Sequence, residues 1–166
     1  VNHNGSVETA KAMIEAAARS GADAVKFQTF SADSLLLRDA EKAAYQKNEA
    51  GAAETQYEML KELELNRAAH LELMSCCGTN SIEFLSSSFD NESTRVLNEL
   101  GVSRFKIPSG EITNLPYLRH IGQLGKTVIL STGMATLGEI ETAIEVLEQA
   151  GTPRAKLTVL HCTTEY

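Results

Sequence analysis

The sequence predicts an α/β fold of alternating strands and helices, and within that class a (β/α)8, or TIM, barrel of which the chain covers about six of eight units. Three observations carry this. Short β-branched runs alternate with amphipathic stretches along the whole chain, a pattern that implies a parallel sheet with right-handed crossovers. No Gly-x-Gly-x-x-Gly fingerprint follows any strand, which weakens the rival open, doubly wound sheet in its dinucleotide-binding form. Polar residues gather where strands end, at Gln28, Ser86-Ser87, Lys106 to Glu111, Ser131-Thr132 and His161. Barrel enzymes assemble their sites at that face, from many strands at once.

The elements follow in order. Val7 to Ser20 carries Ala10, Met13, Ile14 and Ala17 at the spacing of one helix face, and Gly21 ends it. "ADAVKFQTF" reads as a strand with Val25 and Phe27 on one face and Lys26 and Gln28 on the other. Ser31 to Ala53 is irregular and polar, long enough for a functional loop. Helices are expected over Glu54–Leu63 and Arg67–Cys77, the second capped by Asn66. The strand "IEFLSS" precedes a helix capped by Asp90, and "SRFKI" precedes a helix opening after Asn114 with Pro116 in its first turn. "TVILS" leads to the capping box Thr136-Leu-Gly-Glu139, and "KLTVLH" is the last strand. A barrel takes about 250 residues. The expectation is therefore an incomplete one at both ends, with a further strand just upstream of Val1.

With 166 residues, formal charge −7, 43% apolar residues and 5% aromatics, the composition is that of a globular chain with material for a core. The acidic balance argues against nucleic-acid or membrane-surface binding, so an anionic ligand needs a local cationic pocket. The chain shows no secretory signal and no membrane-spanning run, and a cytoplasmic location is expected. Cys76, Cys77 and Cys162 are too few for a disulfide framework and read as reduced thiols. Cys76-Cys77 read as small core residues, and Cys162 carries no signal. His3, His70, His120 and His161 lack metal-ligand spacing and read as structural or surface residues.

"FKIPSGEITNLP" concentrates the chemistry. If Phe105 and Ile107 face the helices, Lys106 faces the opposite side, as Lys26 does in its own strand. Two buried ammonium groups repel unless an anion lies between them; a phosphate or carboxylate is the natural partner. Ser87-Ser88 and Ser109-Gly110 sit at turns where hydroxyls and helix N-termini favour negative charge. Glu111 lies just beyond, and a carboxylate beside a bound anion holds its proton more readily, as suits a general acid or base. Each of these residues alone also reads as a rim lysine, a helix cap or loop polarity.

"NHNGSVETAKAMIEAAARSGADAVKFQTF", "FLSSSFD", "KIPSGEITNLPYL", "VILSTGMATLGEIE" and "LHCTTEY" together resemble the N-acetylneuraminate (sialic acid) synthase family, in its order and spacing over essentially the whole chain. The resemblance implies a transferase that condenses phosphoenolpyruvate with N-acetylmannosamine or a related N-acylated hexose, giving a sialic acid-type nonulosonate and phosphate. By motif, Lys26, Ser87, Lys106, Ser109 and Thr164 resemble phosphoenolpyruvate contacts. Gln28, Gln46, Glu111 and Tyr166 resemble sugar contacts, and Glu111, Lys26 and Lys106 are the catalytic candidates. Ser88 stands where the family usually has proline. The resemblance further implies a divalent metal, manganese or magnesium, with ligands downstream of Tyr166 and none in this chain. It implies a homodimer in the full-length enzyme and a C-terminal antifreeze-like domain absent from these residues, so the chain alone is expected to be inactive. Alternatives are a legionaminic- or pseudaminic-type synthase, or a truncated, non-catalytic paralogue.

Overall fold

A computed structural model describes residues 2–35 and 55–164. Five strands, β1 (Ala24–Thr29), β2 (Glu83–Ser88), β3 (Arg104–Ile107), β4 (Thr127–Ser131) and β5 (Leu157–Leu160), form one sheet in the order β1-β2-β3-β4-β5. Pairing from β2 through β5 is parallel. Parallel neighbours must be joined by crossovers. After α1 (Val7–Arg19), which precedes β1, helices supply them: α2 (Ala32–Leu35), α3 (Gln56–Leu63), α4 (Arg67–Thr79), α5 (Asn91–Glu99), α6 (Leu115–Gln123) and α7 (Leu137–Ala150). The segment expected to be irregular after Phe30 thus opens with a short helix, whose Asp33 accepts from Lys61 Nζ at 2.9 Å and Tyr57 OH at 2.8 Å. No described helix is long and apolar enough to cross a membrane.

Local chemistry sets the helix starts. Asn66, Asp90, Asn114 and Thr136 each accept from a backbone N–H of the first turn, satisfying a donor that has no intrahelical partner. The Thr136–Glu139 capping box is reciprocal, and Thr55–Glu58 forms a second one that opens α3.

The chain divides into two compact units. Residues 1–25 and 29–84 make the first, in which α1 packs on α4 and buries Ala10, Ile14, Ala69 and Leu73. Its two buried histidines are both hydrogen-bonded. His70 donates from Nδ1 to the Asn66 carbonyl at 2.9 Å, which leaves Nε2 to accept from Thr29 Oγ1 at 2.7 Å. His3 Nδ1 accepts from the Gly5 N–H at 3.1 Å.

Residues 26–28 and 85–166 make the second unit. Here α6 and α7 touch through Gly122, where a Cβ would come within 2.6 Å of Ala150 Cβ. One face of β3 and β4 is the core: Phe105, Ile107, Val128 and Leu130 are at most 1% exposed. Alternation then turns Lys106 and Ile129 to the other face.

Candidate anion-binding site

The register assembles this second face. Ser87 pairs with Lys106 and Lys106 with Ile129, so their side chains lie in one row. Ser131, two residues beyond Ile129, continues the face at the C-terminal end of β4. Lys106 is only 8% exposed, and its ammonium donates to the Ile107 carbonyl at 2.8 Å. Burial and the neighbouring Lys26 charge pull its pKa down to about 8, a Cys162 thiolate opposing them in part. Lys26 therefore lies close enough to Lys106 for repulsion to be felt, as the strand pattern predicts.

Lys26 itself is a correction. Among the described residues it is exposed rather than buried. Crowding by its surroundings still lowers its pKa. Gln28, two residues on, shares its side of β1 and is half-buried.

Serine and threonine hydroxyls gather at the C-terminal ends of the strands. Ser86, Ser87 and Ser88 at the end of β2 are all buried. After β3 the chain enters a 3-10 turn, Ser109–Glu111, and Ser109 meets Thr164 across Gly133. A Cβ at position 133 would lie 2.7 Å from Thr164 Oγ1 and 3.1 Å from Ser109 Oγ. Only glycine admits both hydroxyls there. Among the described residues the Ser87, Ser109 and Thr164 hydroxyls have no hydrogen-bond partner, whereas Ser88 and Thr132 are engaged. The structure thus brings Ser109 and Thr164 together, and Ser87 beside Lys106. Glu111 is half-buried, and its described partner is Asn114 Nδ2 at 2.7 Å, which buttresses the cap of α6. Gln46 and Tyr166 lie outside the described residues.

Cys162 and Gly133 escaped the sequence reading. The Cys162 thiol lies 3.5 Å from Ser131 Oγ and 3.3 Å from the Leu160 carbonyl. Donation from Ser131 and the Thr132 N–H lowers its pKa, with a smaller pull from Lys106. Its place one residue past His161 at a strand end was the available signal. His161 itself is exposed. Among the described residues no three His, Cys, Asp or Glu side chains converge as a metal site. These residues therefore do not by themselves fit a divalent ion.

The sheet face thus carries two lysines and the unengaged Ser87 hydroxyl, and among the described residues no carboxylate pairs with Lys106. Comparison with known proteins gives the family. The chain is 55% identical over 166 residues to N,N'-diacetyllegionaminic acid synthase of Campylobacter jejuni, covering 100% of itself and 50% of that protein. It is 49% identical over 168 residues to the enzyme of the same name from Legionella pneumophila, covering 47% of it. Among solved structures, N-acetylneuraminic acid synthetase of Leptospira borgpetersenii in complex with citrate superposes with a TM-score of 0.81 at 30% identity, over 99% of this chain and 52% of that one. The chain spans about half the length of the relatives it matches. The NeuB family matches over residues 13–166, and the chain belongs to that family.

Proposed function

We propose that the full-length protein condenses phosphoenolpyruvate with an N-acylated six-carbon sugar, consuming one water, to give a nine-carbon 2-keto acid and inorganic phosphate. The observation that carries this reading is Lys106, a buried ammonium set among unengaged hydroxyls, with a second lysine near enough to repel it. That pairing suits a small ligand with both a phosphate and a carboxylate. Lys26 and Lys106 hold the two charged groups, and Ser87, Ser109 and Thr164 direct their oxygens so that the enol carbon meets the sugar aldehyde. Gln28 orients the sugar, with Gln46 and Tyr166 in the same role. Glu111 transfers a proton near the aldehyde end.

The relatives at 55% and 49% identity favour a product carrying two acetamido groups. Subtracting the three carbons of phosphoenolpyruvate leaves a diacetamido hexose as acceptor, ahead of N-acetylmannosamine. The sequential strand order, which lacks the reversal of a doubly wound sheet, supports placing these strands in a (β/α)8 barrel. A divalent metal, with ligands from elsewhere in the full-length protein, and a homodimer belong to the same proposal; residues 1–166 alone are not expected to turn over.

The test incubates full-length protein and manganese with phosphoenolpyruvate and each acceptor in turn, reading released phosphate and the nine-carbon acid by mass spectrometry. Faster phosphate release with the diacetamido hexose is expected. Preference for N-acetylmannosamine would reverse the order of acceptors, and no release with any amino sugar would sink the synthase reading.

A further inference from the structure

We propose that Tyr117 and Thr94 are positioning residues for the phosphoenolpyruvate site: they lock the C-terminal end of β2 through Ser88, and so fix the Ser87 hydroxyl beside Lys106. This rests on the function proposed above.

The lock is a directed chain of hydrogen bonds. Tyr117 OH donates to the Ser88 carbonyl at 2.6 Å, which uses its proton. The contact between Ser88 Oγ and Tyr117 OH at 2.9 Å must then run from serine to tyrosine. Thr94 Oγ1 donates to Ser88 Oγ at 2.8 Å, and its second contact, to the Asp90 carbonyl at 3.0 Å, competes for the same proton. Thr94 feeds Ser88, Ser88 feeds Tyr117, and Tyr117 closes on the Ser88 backbone. All three side chains are at most 2% exposed.

Burying a phenol hydroxyl is unfavourable unless it is bonded, and phenylalanine fills the same space without that requirement. What the hydroxyl adds is control of one peptide plane. Ser87 and Ser88 are successive strand residues and point to opposite faces. Tyr117 and Thr94 hold Ser88 from the helix side, and Ser87 stands in register with Lys106 on the other. Among the described residues the hydrogen bonds of this chain reach none of Lys106, Ser109 or Thr164, and Ser87 adjoins it in β2, so the proposed route runs through Ser87.

The experiment measures phosphoenolpyruvate affinity by calorimetry and melting temperature, in full-length wild type and in Tyr117→Phe, Thr94→Val, Ser87→Ala and Ser87→Ala/Tyr117→Phe. Tyr117→Phe and Thr94→Val should each weaken phosphoenolpyruvate about tenfold, the scale of one lost hydrogen bond. The KM for the sugar should move less than twofold. In the Ser87→Ala background, Tyr117→Phe should add little. A lower melting temperature with unchanged affinity would make the chain a core network only and overturn the proposal. A full Tyr117→Phe effect that persists without the Ser87 hydroxyl would overturn it as well. Wild type that fails to bind phosphoenolpyruvate would sink the function reading, and this inference with it.

Discussion

Lys106 combines two unfavourable circumstances, a desolvated ammonium and a neighbouring positive charge. Lys106→Met removes both, so the folded protein should be as stable as before or more so. Phosphoenolpyruvate affinity should nevertheless fall by about 1.5–3 kcal/mol, about one to two decades. Calorimetry beside thermal melting separates these effects, and unchanged affinity would make Lys106 structural. The same lysine sets a pH profile. With a folded pKa of about 8, it loses its proton as pH rises, and phosphoenolpyruvate affinity should decline above that value. Stability runs the other way. Between about 8 and the unfolded value near ~10.4 the unfolded chain binds more protons, so this group's contribution to stability rises with pH. Glu111 faces a sharper test, because its bond to Asn114 offers a competing explanation of why a carboxylate stands there. As the proton carrier, Glu111→Gln should lower single-turnover rates by about two to four decades and leave phosphoenolpyruvate binding intact. Near-normal turnover would reduce Glu111 to a support for the α6 cap.

At the scale of elements, the α6–α7 contact is the tightest helix approach in the second unit. Gly122→Ala would set a methyl 2.6 Å from Ala150 Cβ and 2.9 Å from the Leu147 carbonyl. The helices must part, at a cost of about 1–3 kcal/mol, read as a lower urea midpoint. Ligand affinity should hold, since this contact lies on the helix side of the sheet and Lys106 on the other. The caps at Asn66, Asp90, Asn114 and Thr136 were legible in the sequence because each is written within four consecutive residues. Strand alternation around Lys106 was legible for the same reason. Gly133 against Ser109 and Thr164, Tyr117 against Ser88, and Cys162 beside Lys106 were not. Those meetings depend on which strands adjoin and in what register, which no local window contains.

For the molecule as a whole, the two units should answer differently to acid. His70 and His3, both in the first unit, have pKa values lowered by burial. Groups held neutral in the fold stabilise it above the unfolded histidine value of about 6.5, and that contribution is lost as pH falls below it. Hydrogen exchange at pH 7 and pH 5 should therefore show α1 and α4 losing protection before α6 and α7. Equal loss in both units would mean that the histidines do not govern the response.

The hydrogen bond from Lys106 to the carbonyl of Ile107 has a consequence for selectivity. An arriving oxygen enters an exchange and gains only the difference between what it offers the ammonium and what the carbonyl gives up. An ester or amide oxygen offers a dipole of the same kind, and the difference is close to nothing. A phosphoryl or carboxylate oxygen brings full charge and a shorter, stronger contact. If this face binds an anion as proposed, the backbone of β3 sets a threshold that sorts molecules by ionisation before shape. A fully methylated ester with the outline of phosphoenolpyruvate should then bind far more weakly than a differently shaped dianion.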